Sequence, residues 1–261
     1  MSRKVCVITG ASGGIGAAAA ARFAQAGYAV YGLSRHAGSD PAVTYLPCDV
    51  SDDASVRAAF ARIRTREPDG ISVLVCNAGM GISGAAAAAS EEDIRRIFGV
   101  NCFGVFRCVR EARLTRGAAV VIVSSAAAVF SIPFQAYYSA TKAALNAYAQ
   151  ALRTELALQG IRVSAVMPGD VRTGFTDARV KSDADAALYG GRIGKSVAVM
   201  EHDERHGMPP EAVAKVIFAQ AEAKNPRPLR AVGAQYKVFL VLGKLLPARL
   251  VGFIVGKMYG C

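Results

Sequence analysis

Short runs of β-branched and other apolar residues alternate along this chain with longer Ala-rich runs whose apolar positions recur every three or four residues. The short runs at 5–9, 28–34, 43–46, 71–76, 118–124 and 161–167 predict strands, and 229–232 predicts a last edge strand. The longer runs at 14–26, 51–66, 101–113, 138–158 and 209–223 predict helices. Ser51 can cap the second helix, where Val56, Phe60 and Ile63 recur at helical spacing. Gly160 stops the long helix and Pro168 stops the strand after it. Strands alternating with helices of this length imply βαβ crossovers, hence a parallel sheet covered on both faces. ISVLV and AAVVIV are apolar throughout, as strands buried on both faces require. The fold class is therefore α/β, a doubly wound parallel sheet in a single domain over 1–261. Ligands belong beyond the carboxyl ends of its strands.

Composition adjusts this picture little. Of 261 residues, 52% are hydrophobic, enough for a sizeable core, and neither the glycines nor any longer segment repeats with a period. The net charge of +11 admits nucleic acid, a membrane surface or an anionic ligand. Basic residues are dispersed and no aromatic platform interleaves with them, which argues against nucleic acid. A phosphorylated cofactor, or an anionic or membrane-held substrate, fits better. Cys6, Cys48, Cys76, Cys102, Cys108 and Cys261 form no CxxC pair and read as reduced, buried small hydrophobes. The start, MSRK leading straight into a strand, is too short for a secretory h-region, and no uncharged apolar run is long enough to span a membrane. A cytoplasmic protein is expected.

The first strand runs into TGASGGIG and then a helix. Gly10, Gly14 and Gly16 allow a tight turn and a close approach of backbone N–H groups to a pyrophosphate, and the helix N-terminus adds partial positive charge. In this strand–turn–helix context the motif predicts a Rossmann-type dinucleotide site. After the second strand, Ser34 occupies the place where a carboxylate would hold a ribose 2′-hydroxyl, and Arg35 follows. A guanidinium suits a 2′-phosphate, so NADP(H) is preferred, with NAD(H) possible.

In YYSATKAAL, Tyr138 and Lys142 stand at i and i+4 of the predicted helix and share a face, whereas Tyr137 is rotated away. A tyrosine acting as a base near neutrality must lose about three pKa units, roughly 4 kcal/mol. An ammonium about 4 Å away at intermediate dielectric supplies that much. Lys142 is thus expected to make Tyr138 a proton donor and acceptor. Ser125, at the end of the strand in VIVSSAAAVF, can hold the substrate oxygen; Ser124, one residue earlier, should face the other way.

Together these residues resemble the short-chain dehydrogenase/reductase family, over nearly the whole chain. TGASGGIG matches its cofactor loop, which brings in Ser12, Gly13 and Ile15. Cys76-Asn77-Ala78-Gly79 matches its Asn-Asn-Ala-Gly motif, with Cys76 in place of the first Asn, a change that can weaken a strand-to-strand hydrogen bond. Asn101 matches the family's helix-kinking Asn, implying support of a water-linked proton relay. Ser125, Tyr138 and Lys142 match the remaining catalytic positions. The resemblance also implies cofactor contacts from Asp49 and Val50 beside the adenine, and from Pro168, Gly169, Val171 and Thr173 over the nicotinamide. Asn101 and Ser125 lie close together for that pattern, so the end of the intervening helix is an open point. PGDVRTGF and the basic residue after the second strand look like the 17β-hydroxysteroid and retinol dehydrogenase branch, which implies a small lipophilic substrate such as a hydroxysteroid or bile acid, and commonly a homodimer or homotetramer.

Met80, Ile82, Ala127, Phe130, Ile132, Phe134 and Phe175 follow strand ends and could line an apolar substrate pocket. Of these, Met80, Phe130, Phe134 and Phe175, with Ser125, are the stronger candidates. Residues 176–208 are less orderly, and Gly190, Gly191, Gly194 and Gly207 could flank a lid. His202 and His206 have a metal-compatible spacing, but a solvated helix face explains them better and no metal is expected. In the apolar segment 233–261, Lys237, Lys244, Arg249 and Lys257 recur about every seven residues and Pro247 should split two helices. The segment can pack over the pocket or form a dimer contact, the favoured readings, or lie on a membrane surface. Two other functions stay open: reduction of a different carbonyl, such as retinal or a β-ketoacyl group, and non-catalytic sensing of a dinucleotide.

Overall fold

The computed structural model of the chain describes residues 3–182, 184 and 186–260, apart from the side chain of Lys244. Asp183 and Asp185 of the expected lid, the Lys244 side chain and Cys261 therefore lie outside the described residues. Seven parallel strands form the central sheet: β1 (Val5–Thr9), β2 (Ala29–Ser34), β3 (Val43–Pro47), β4 (Ile71–Cys76), β6 (Leu114–Val123), β7 (Arg162–Pro168) and β9 (Leu229–Val232). Their order is β3-β2-β1-β4-β6-β7-β9. The order reverses between β1 and β4, which opens a crevice beyond their carboxyl ends. A separate pair, β5 (Ile82–Ser83) with β8 (Val180–Lys181), is a small structure with no sequence signal.

Alternation along β1 divides the core. Val5 and Val7 face one cluster, with Phe60 and Ile63 of α2 (Asp53–Arg66), Val105 of α4 (Gly104–Glu111) and Leu145 of α5 (Ala136–Ala157). Cys6 and Ile8 face the other, with Phe23 of α1 (Gly14–Gln25) and Ile217 of α7 (Pro210–Glu222). Phe23 is fully buried, with its ring centre 5.1 Å from that of Tyr28 and 5.0 Å from that of Phe218. Burying one such side chain is worth about 1.5–3 kcal/mol. Cys6, Cys48, Cys76, Cys102 and Cys108 are buried free thiols.

Several boundaries differ from expectation. Asp52, not Ser51, caps α2, accepting from the amides of Ala54 and Ser55. A helix α3 (Glu91–Phe98) precedes the expected 101–113 helix, capped by Ser90 and opened by three acidic residues. It continues into α4 through a π-type turn over Gly99–Phe103. The wide turn seats Asn101 inward. Gly104 follows because a Cβ there would stand 2.9 Å from Val50. β6 begins at Leu114 and takes up the segment between α4 and Ser125, which answers the question of the short spacing. The less orderly stretch 176–208 contains a helix, α6 (Arg192–Arg205). Ser196 of that helix donates to the Pro133 carbonyl at 3.2 Å. The chain ends in α8 (Ala234–Leu245) and α9 (Ala248–Met258), separated at Pro247 as expected.

Candidate active site

β1 ends at Thr9 and turns at Gly10, whose φ is 68°. A Cβ there would lie 3.0 Å from both the Ala78 Cα and the Asn77 Nδ2, so the ends of β1 and β4 meet at this turn. Thr9 pins them: its Oγ1 accepts from the amides of Asn77 (2.9 Å) and Ala78 (3.0 Å), while Asn77 Nδ2 donates to the Thr9 carbonyl at 3.0 Å. Sequence reasoning missed Thr9, whose only signal is its place before Gly10. Cys76 sits buried among core side chains beside this clamp.

Gly16 is the tightest point of the glycine turn. A Cβ there would stand 2.1 Å from the Gly10 carbonyl oxygen. Gly16 is buried and does not line the cleft, and it seats α1 against the turn. Ser12, Gly13, Gly14 and Ile15 do line the cleft. Gly13 starts α1 with no side-chain cap and no acidic residue in the first turn. The free N–H groups of that turn, with the helix dipole, fit a pyrophosphate. At the far end, Ser34 is buried and donates to the His36 carbonyl at 2.5 Å, while Arg35 is exposed at the edge of the cleft. Asp49 accepts from the Ser51 amide (2.8 Å) and hydroxyl (2.6 Å). Burial works to raise the Asp49 pKa, but those bonds and the charges of Arg35 and Arg107 outweigh it and hold the carboxyl below its usual range. The residues present thus suit a dinucleotide, with Val50 and Asn77-Ala78-Gly79 along its path.

At the other end, Ser125 follows β6 and opens a 3-10 turn, its Oγ accepting from the Ala127 amide at 3.1 Å. Ser124 points away, donating to the Lys142 carbonyl at 3.0 Å. Tyr138 and Lys142 share a face of α5, with the Lys142 Nζ 5.6 Å from the Tyr138 ring centre. That Nζ donates to the Val123 carbonyl at 3.0 Å. Burial pushes Tyr138 up to about 12, although its hydrogen bond with Ser125 acts the other way. Burial likewise pulls Lys142 down to about 8. Desolvation thus works against the acidification of the phenol expected from Lys142. Tyr137 instead donates to the Ala86 carbonyl at 3.1 Å.

Asn101 is fully buried. Its Oδ1 accepts from the Met80 amide at 2.8 Å, and its Nδ2 donates to the Met80 carbonyl at 3.0 Å and to Thr141 Oγ1 at 3.1 Å. It thereby ties the end of β4 to α5. A Cβ on Gly79 would lie 3.4 Å from Asn101 Oδ1 and 3.5 Å from Lys142 Nζ, so Gly79 leaves these two groups facing one small space.

Pro168, Gly169, Val171 and Thr173 form the roof. A Cβ on Gly169 would fall 1.9 Å from the Tyr236 ring. The Tyr236 hydroxyl donates to the Asp170 carboxylate and accepts from the Asp170 amide at 3.1 Å. Burial raises the Asp170 pKa despite that bond. Asp170 and Tyr236 were missed by sequence reasoning; the glycine after Pro168 hints at close packing but not at its partner.

The cleft encloses about 1320 Å³, room for a dinucleotide and a substrate together. Met80, Ala127, Phe130, Ile132 and Phe175 line it beside Ser125. The Phe175 ring stands 5.8 Å from that of Tyr138. Phe134 and Ile82 do not line it. Phe134 has a left-handed φ of 60° that carries its ring onto Tyr189, 5.5 Å away and edge-on. Ile82 is buried in β5. The sequence also missed Phe239, Leu242, Leu246, Val251, Ile254 and Met258, by which α8 and α9 extend the apolar wall. Behind Phe175, the fully buried Arg179 side chain pairs with Glu204, which accepts from Thr176 at 2.7 Å. His202 and His206 stack 4.3 Å apart at the end of α6. Among the described residues no cluster of three or more His, Cys, Asp or Glu could hold a metal.

The chain is 34% identical to the 3-ketodihydrosphingosine reductase of Bacteroides thetaiotaomicron over 267 aligned positions, 99% of each chain. It is 33% identical to the NADPH-dependent 1-acyldihydroxyacetone phosphate reductase of Schizosaccharomyces pombe, over 72% of this chain and 66% of that protein. A short-chain dehydrogenase structure from Streptomyces avermitilis superposes with a TM-score of 0.82 at 30% identity, covering 94% of this chain and 93% of the other. The family model for short chain dehydrogenases matches residues 4–184, the span that carries the glycine turn, the Thr9 clamp and the Ser125–Tyr138–Lys142 cluster. With fold and model in agreement over most of its length, the chain is an oxidoreductase and belongs to the short-chain dehydrogenase family.

Proposed function

We propose that this oxidoreductase uses NADPH to reduce a ketone carried on a single-chain aliphatic lipid, in the chemical class of the 3-keto long-chain amines. The observation that carries this reading is the continuity of the cleft. It runs from Ser125 and Tyr138 to a wall of aliphatic side chains from α8 and α9. An apolar wall beyond a few polar groups selects a long hydrocarbon attached near the reacting carbon. Both named relatives act on ketones of single-chain lipids, and one is named for its NADPH dependence. The steroid or bile acid expected from PGDVRTGF draws no support from them.

The α1 N-terminus would hold the pyrophosphate of NADPH and Arg35 its adenosine 2′-phosphate, and the bound cofactor would supply the hydride. The chain's own residues do the remaining work. Ser125 holds the carbonyl oxygen, and the phenol of Tyr138 donates a proton to it as negative charge develops. A phenol with its pKa raised to about 12 is protonated near neutrality, so the site is set as an acid, which suits reduction. Lys142, with its pKa drawn to about 8, can return a proton toward Tyr138. Asn101 holds Met80 and α5 in place around that path, and Met80, Phe130 and Phe175 exclude water. Retention of both Tyr138 and Lys142 argues against a non-catalytic sensor. The active unit is proposed to be a homodimer or homotetramer.

Following NADPH absorbance with 3-ketodihydrosphingosine, a 3-oxoacyl thioester, retinal and a ketosteroid tests the reading. The aliphatic ketones should be consumed with the highest kcat/KM. Preference for the ketosteroid overturns it.

A further inference from the structure

The two C-terminal helices carry two apolar surfaces. The inner one walls the cleft. The outer one is formed by Val238, Val241 and Leu245, at i, i+3 and i+7 of α8, with Leu250 and Phe253 of α9, none of which lines the cleft. Leu245 is 74% exposed and Phe253 60%. The two surfaces join at the rim, where Leu242, Ile254 and Met258 both line the cleft and stand open to solvent. Scattered exposed hydrophobes need no explanation, but a contiguous face does.

Charge identifies what covers it. No Asp or Glu follows Glu222, whereas Lys224, Arg227, Arg230, Lys237, Arg249 and Lys257 do. Lys237, Arg249 and Lys257 are exposed, and none pairs with a carboxylate among the described residues. The Lys257 ammonium lies 5.1 Å from the centre of the exposed Phe253 ring. A second copy of this chain would set the same cations against the same cations, on a protein of net charge +11. An anionic lipid surface complements both the charge and the apolar row. The helices, of 12 and 11 residues, rise about 18 and 16 Å at 1.5 Å per residue, roughly half of a hydrocarbon core. Among the described residues no helix is long and apolar enough to cross a membrane. The geometry is that of helices lying in an interface.

We infer that α8 and α9 form a docking surface for an anionic lipid bilayer, with the outer apolar face among the acyl chains and the cations at the headgroups. The cleft rim then opens at the depth of the lipid tails, so a lipid ketone reaches Tyr138 without crossing water. The docking follows from exposure and charge; only the passage of substrate rests on the proposed function.

The test is co-sedimentation of the full-length protein with phosphatidylcholine vesicles, with and without phosphatidylglycerol, at low and high salt. Binding should be about tenfold tighter with phosphatidylglycerol and weaken with salt. Leu245→Glu/Phe253→Glu should lose about tenfold or more, with thermal unfolding unchanged. Should that pair fail to fold, Lys237→Gln/Arg249→Gln/Lys257→Gln serves instead, losing about fivefold per cation. The inference is overturned if the wild-type protein ignores phosphatidylglycerol vesicles at low salt, or if folded variants bind as wild type. It is also overturned if ultracentrifugation shows a dimer that the Glu pair splits, which assigns the face to a second copy. Vesicle binding without turnover of any lipid ketone would remove the substrate reading and leave the docking intact.

Discussion

The Lys142 ammonium stands 5.6 Å from the centre of the Tyr138 ring while donating to the Val123 carbonyl at 3.0 Å. Helical spacing brings the two side chains to one face, but a β-strand carbonyl decides where the charge is held. Both groups are desolvated, in opposite directions: the phenol rises to about 12 and the ammonium falls to about 8.

That depression has a sign in stability. The Lys142 pKa is below its unfolded value of 10.5. Folding therefore carries a penalty that is full below pH 8 and fades as pH rises toward 10.5, because the unfolded chain binds the extra proton in that window. Lys142→Met removes the penalty and leaves the Val123 carbonyl unpaired. Its stability relative to wild type, measured by urea unfolding, should fall by up to about 3 kcal/mol between pH 7 and 11. A difference that stays flat with pH contradicts the buried-ammonium assignment. Reduction by the wild-type protein should also decline as pH passes about 8, as Lys142 loses its proton.

Two glycines of the turn separate packing from decoration. Gly16→Ala places a methyl 2.1 Å from the Gly10 carbonyl oxygen and 2.6 Å from Asn77 Nδ2, which forces α1 off the turn. A loss of about 2 kcal/mol or more in unfolding free energy is expected, together with weak NADPH binding. Gly13→Ala meets nothing within 4 Å and has an extended φ of −164°, so its stability should stay within about 0.5 kcal/mol of wild type.

Arg35 is exposed at the cleft edge, beside a Ser34 hydroxyl already committed to His36. Arg35→Asp should raise the KM for NADPH about tenfold or more and leave that for NADH within a few-fold. Equal effects on the two cofactors would mean that Arg35 does not distinguish them.

Arg179 is wholly buried against Glu204 behind Phe175. Removing only the cation strands a carboxylate at the site, so Arg179→Met should cost about 3 kcal/mol. Arg179→Met/Glu204→Gln should cost less than the single change, as read by a denaturant double-mutant cycle. A double variant as unstable as the sum of its parts argues that the pair is not coupled.

Much of this molecule was legible in its residues. Seven strand-like runs gave the sheet, because strands buried on both faces leave an uninterrupted apolar record. Gly10, Gly14, Ser125, Tyr138 and Lys142 line one cleft, the glycines and Ser125 just after strand ends and Tyr138 and Lys142 one turn apart on α5. Local pattern failed where tertiary contact decides. Phe134 leaves the pocket because its backbone adopts a left-handed turn, Thr9 clamps through hydroxyl bonds that carry no periodic signal, and Tyr236 covers Gly169 from 67 positions away in sequence. α3 was missed although Ser90 and three acids announce a helix start, because only its Ile97 side chain is fully buried and the apolar stripe is thin. The individual wall residues of α8 and α9 were hidden in a segment whose composition favours packing over the pocket or a dimer contact but also admits a membrane surface.

The account turns on a proton passing from Tyr138 to a ketone on an aliphatic lipid, and single-turnover NADPH oxidation with 3-ketodihydrosphingosine measures it most directly. Wild type should consume NADPH with the ketone and form the 3-hydroxy product, while Tyr138→Phe, still binding NADPH, should be slower by about 10²–10⁴. A Tyr138→Phe protein that turns over at the wild-type rate, or a wild type inert toward every aliphatic ketone yet active on a ketosteroid, contradicts it.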